Sequence, residues 1–91
     1  MTADRYAVAD DLGMLAGLAD DIGTRATMGM LLRLYANDLR ANTLEVAAVV
    51  HALREMLATY PARVRCGTWT NTMQEHGAVL AMAAESLERL L

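Results

Sequence analysis

The chain has 91 residues and a formal net charge of −3, with 55% hydrophobic residues, only 4% aromatic ones and no Phe. That length supports one domain, residues 1–91, with a modest core needing neither disulfides nor a metal, and the acidity argues against a nucleic-acid footprint. Its apolar residues are largely Ala, Leu, Val and Met, which disfavours a β-sandwich and leads to an all-α antiparallel helical bundle as the expected fold class.

The N-terminal stretch MTADRYAVADDLG is acidic and broken by polar residues, unlike a secretory signal. A first helix is expected over roughly residues 3–22, with Val8, Leu12, Leu15, Ala19 and Ile22 on one stripe. Gly23 then stops it and Thr24 caps the next. Inside this helix Gly13 and Gly17, with Ala9 and Ala16 nearby, form a small-residue stripe. Each mid-helix Gly costs about 1 kcal/mol against Ala, which close approach of another helix, from this chain or from another molecule, would offset. The pairs Asp10–Asp11 and Asp20–Asp21 are expected on a solvated face. Asp10 and Asp21 share a face but lie about 16 Å apart along the axis, too far for one metal or one acid–base pair.

The middle of the chain poses the main architectural question. Steps of four and three from Met28 reach Leu32, Tyr35, Leu39, Asn42, Val46, Val49, Leu53, Met56 and Tyr60, and every member but Asn42 is apolar. A second row, Arg33, Arg40, Ala47 and Arg54, keeps to the opposite, solvated side. This unbroken phase favours one long central helix of about 54 Å, kinked near residue 42, which would make three helices in all. Such a thin rod would leave an apolar flank uncovered and dimerise, with Asn42 pairing across the two-fold to set register. The alternative is a four-helix bundle with a tight turn at Asn42 and Thr43: Asn37, Asp38, Asn42 and Thr43 weaken a helix by about 1–2 kcal/mol in sum, and Asn42 with Glu45 resembles a capping box.

Pro61 is expected to end the preceding helix, leaving YPARVRCGTW as the only extended loop. This loop gathers Tyr60, Arg63, Arg65 and Trp69, residue types that dominate interface hot spots, and they are the expected partner-binding residues. Trp69 sealing one end of the bundle is the structural alternative. The last helix, roughly residues 71–90, starts at an Asn71–Gln74 capping box and aligns Met73, Leu80, Leu87 and Leu91, with Ala84 between. No run approaches the roughly 18 apolar residues of a membrane-spanning helix, so neither membrane nor nucleic acid is an expected partner. Cys66 is the single cysteine, which excludes an internal disulfide and fits a cytoplasmic protein. All eight basic residues are Arg, as a G+C-rich genome, such as a bacterial one, produces.

No catalytic constellation emerges. His51 and His76 are the only histidines; Glu75 is adjacent to His76 and so faces about 100° away, His51 has Glu55 as its nearest possible partner, and Cys66 has no second Cys to complete a zinc pattern. No cofactor or metal is therefore expected. The segment HALREML, His51 to Leu57, resembles the phospho-acceptor helix of histidine-kinase dimerisation domains through His51, Leu53, Arg54 and Leu57. The closing helix is similar in style to that family's second hairpin helix. Ala52 stands where the family has an acid and Met56 where it has Pro, and these 91 residues hold no nucleotide-binding domain. The resemblance implies a phosphotransfer or kinase-binding module with His51 as acceptor. Exclusion of the rest favours a small non-enzymatic interaction protein, a regulator, adaptor or inhibitor, docking on a partner protein through a Met- and Leu-rich face, and a homodimer. A ligand pocket lined by Met28, Met56, Met73 and Met82 is a third possibility.

Overall fold

The middle of the chain breaks. In a computed structural model that describes the backbone of residues 4–21, 27–65 and 71–91, and the side chains of 4–21, 28–59 and 77–91, the helices among the described residues are α1 (Arg5–Asp21), α2 (Thr27–Arg40), α3 (Val46–Arg65) and α4 (Asn71–Glu88). Of the two central arrangements, the chain takes the four-helix one.

The reason is local. Asn42 has φ 60°, the left-handed region, which Asn tolerates better than other non-glycine residues because its short polar side chain can bond locally. The Thr43 N–H donates to the Asp38 carbonyl at 2.9 Å and the Asn42 N–H to the Leu39 carbonyl at 3.1 Å. These two bonds are a Schellman motif with Asn in the usual glycine position, and they satisfy carbonyls that the end of α2 leaves open. The Thr43 hydroxyl adds a bond to the Asp38 carbonyl at 3.2 Å. The Val49 N–H then donates to the Glu45 carbonyl at 3.0 Å, so α3 starts from Glu45. Asn42 therefore ends α2 rather than opening α3, which corrects the capping-box assignment. Nor is it the helix-embedded register residue expected of a continuous rod: it is exposed and sits in a turn.

The apolar row keeps its phase on both sides of the turn because both helices point it at the same layer. Leu32, Ala36 and Leu39 from α2 and Val50 and Leu53 from α3 join Val8, Leu12, Leu15, Ala16 and Ala19 of α1 and Val79, Leu80, Ala83, Ala84 and Leu87 of α4 in one core. The many alanines let axes approach towards the close end of the usual 8–10 Å spacing. α1 packs on α2, α4 packs on α3, and α1 packs on α4, while α2 and α3 diverge with at most marginal contact. The order across the molecule is thus α2, α1, α4, α3, within extents of 41 × 23 × 21 Å. At the start of α1 the Asp4 carboxylate accepts from the Tyr6 N–H at 3.0 Å, an N-cap.

Pro61 does not end α3, which continues to Arg65. A proline removes one helical N–H and crowds the carbonyl four residues back, which weakens or bends a helix without obliging it to stop. The expected loop is therefore helical through Arg65; Cys66 to Thr70 lie outside the described residues, as do Gly23 and Thr24. The caps expected at Thr24 and Asn71–Gln74 fall among undescribed residues or side chains. No helix among the described residues is long and apolar enough to cross a membrane.

Two measurements check this arrangement. In a left-handed turn, thermal stability is expected to rank Gly at or above Asn, with Asn42→Ala lower by about 1 kcal/mol, or about 4–8 °C in Tm. In an unbroken helix the order reverses, Ala highest and Gly lowest. Tyr35, partly buried against the core, has its phenol raised above the ordinary 10.0 because burial disfavours the phenolate. Its contribution to stability is complete below the unfolded value and is lost as pH rises through the folded one. Chemical denaturation from about pH 9 to about pH 11 should show a steeper loss in the wild type than in Tyr35→Phe.

Candidate functional site

α1 has a neighbour on each side, α2 and α4, and its buried arc is filled by Val8, Leu12, Leu15, Ala16 and Ala19. Large apolar residues off that arc are left exposed. Met14 is 72% exposed and Leu18 49%. Across the seam Met82 of α4 is 42% exposed. Together with Asp11, Leu15, Glu85, Ser86 and Arg89 these side chains line an open groove of about 490 Å³ between the two helices. Arg89 lies against Asp11, and residues within 11–18 of α1 and within 82–89 at the end of α4 line one groove, so α1 and α4 run antiparallel.

The charges around α1 are unevenly committed. On the α2 side, Arg40 donates to Asp10 at 2.7 Å and Arg33 to Asp20 at 2.6 Å. Asp20 also lies over Gly29, where an added Cβ would collide with its carboxylate; the N-terminal end of α2 favours a negative charge there. Arg54 of α3 holds Glu88 at the end of α4 through two bonds, 2.7 and 3.0 Å. The arginine row expected to be merely solvated thus clasps neighbouring helices. On the groove side, Arg89 approaches Asp11 at 3.5 Å. Glu85 and Asp21, both exposed, make no ion pair among the described residues. Asp21 is seven residues from Met14, so it continues the same face of α1.

The residues singled out in the sequence fall elsewhere. Tyr60, Arg63 and Arg65 are on the last two turns of α3; their side chains, and Trp69 altogether, lie outside the described residues. Asn42 is in the α2–α3 turn. His51 is 75% exposed, with its Nε2 3.0 Å from Glu55, so a carboxylate already occupies the approach to that nitrogen. The side chain of His76 is not among those described. The three described methionines of the expected pocket lie apart: Met28 packs on the core, Met56 is exposed on α3 and Met82 is in the α1–α4 groove, while the side chain of Met73 lies outside the described residues. No group of three metal-ligating side chains occurs among the described residues.

The small-residue stripe divides: Ala9 and Ala16 are buried in the core, whereas a Cβ built at Gly13 or Gly17 meets nothing within 4 Å among the described residues, so the two glycines are not a close-packed seam there. Met14, Leu18, Glu85 and Arg89 were not singled out as site residues from the sequence. Their one signal was that Met14 and Leu18 are large apolar residues lying off the buried stripe of an otherwise amphipathic helix.

No protein-family model matches the chain, and neither a curated protein nor a solved structure is significantly similar to it. The space above the two glycines gives a direct check. Gly13→Ala and Gly17→Ala should each raise stability by about 0.5–1 kcal/mol in thermal or denaturant unfolding; a loss would show that something in the folded chain does approach them.

Proposed function

We propose that this is a small helical interaction protein, a regulator, adaptor or inhibitor, that acts in the cytoplasm without catalysis by docking on a partner protein. The observation that carries this reading is the exposure of Met14, Leu18 and Met82 around one open groove, on a molecule whose four helices otherwise bury a continuous core. Clustered apolar side chains framed by charged ones are the usual form of a protein contact, and Met suits a surface that adapts to its occupant. Tyr60, Arg63, Arg65 and Trp69 are proposed as further anchors on their chemistry alone. A single chain that closes its own core does not require the second copy that a thin rod would, so homodimerisation is no longer obligatory.

Affinity capture from source cells tests the reading. The wild type and a Met14→Glu/Met82→Glu double variant serve as paired baits, and circular dichroism checks that both are folded. At least one protein captured by the wild type should fall about tenfold with the variant, as removal of an interface hot spot does. Identical sets of captured proteins would contradict docking through this face.

A further inference from the structure

Resting on that docking reading, we propose that the α1–α4 groove receives an amphipathic helix of the partner that carries basic residues beside its apolar stripe. Shape comes first. The groove runs between two antiparallel helices from Asp11 to Leu18, about 10 Å or two turns of a helix. An apolar ridge with anchors three and four residues apart fits such a furrow. The groove is open along its length, whereas a small ligand needs most of its surface enclosed.

Charge then selects the helix. Among the described residues that line the groove Arg89 is the one cation, and it is turned towards Asp11. Glu85, at the rim, and Asp21, one turn beyond Leu18, have no cation among the described residues. Among the described residues the groove thus presents apolar side chains flanked by three carboxylates, Asp11, Glu85 and Asp21, against the single guanidinium of Arg89, an acidic excess that complements a Lys- or Arg-bearing amphipathic helix. A second copy of this chain fits poorly. A two-fold contact sets a patch against itself, so it would bring two sets of these carboxylates together. Three exposed anchors are also too few for a stable dimer at about 800 Å² per partner, while they suit one helix bound at micromolar strength.

The test uses the full chain and two fluorescein-labelled 18-residue helical peptides, one with Leu on one face and Lys on the other, its control with Glu in place of every Lys. Fluorescence anisotropy should give a Kd of tens of micromolar for the Leu/Lys peptide, at least about tenfold tighter than the Leu/Glu peptide and weakening as salt rises from about 50 to about 300 mM. Leu18→Glu should abolish the binding. An Asp21→Lys/Glu85→Lys double variant should reverse the preference between peptides, which mere damage to the fold would not do. Equal binding of both peptides, no binding up to about 1 mM, or an unchanged preference in the charge-reversed variant would overturn the proposal. So would light scattering that shows self-association abolished by Leu18→Glu, which would give the groove to a second copy. If cell capture depends on Met14 and Met82 but is indifferent to reversal of Asp21 and Glu85, the docking reading stands and the basic helix falls.

Discussion

The fold depends on one left-handed residue. Were Asn42 helical, α2 and α3 would be one rod, and α1 and α4 would lie on its two halves with a long flank bare. The 2.9 and 3.1 Å bonds that close the turn on Asp38 and Leu39 stop α2 with its carbonyls satisfied and release α3 in a new direction. α1 and α4, each packed on its own half, then meet. Their contact completes the core and also creates the groove that holds Met14, Leu18 and Met82. Local backbone chemistry at residues 38–43 thereby sets this exposed apolar surface.

The arginines serve geometry more than stability. The ion pairs of Arg33, Arg40 and Arg54 involve side chains 39–73% exposed, so solvent screening leaves each worth a fraction of a kcal/mol at most. Their bonds, however, fix the lengthwise position of α1 on α2 and of α4 on α3. They also sort the acidic residues of α1: Asp10 and Asp20 are engaged on the α2 side, and Asp21 is left beside the groove.

Much of the fold was legible because burial follows a 3.6-residue period. Val8, Leu12, Leu15 and Ala19, and Leu80, Ala84 and Leu87, are buried as their spacing indicated. The break was harder to see, since two helices facing one layer keep a common phase even when the chain turns between them; Asn42 carried the signal only through its tolerance of positive φ. Pro61 misled because a proline is a cost to a helix and not an absolute stop. Periodicity set Met14 and Leu18 off the buried stripe but did not reveal the groove. Whether an off-stripe Met14 is idle or useful depends on where α4 lands, and that is fixed by the turn and by Ala-rich packing forty to seventy residues further along the chain.

Backbone chemical shifts of the isotope-labelled protein measure the turn most directly. A helical run is expected up to Arg40, a left-handed signature at Asn42, and a new helical run from Val46. Uninterrupted helical shifts from Leu32 through Leu53 would restore the single rod and contradict the four-helix arrangement, the α1–α4 contact and the groove together.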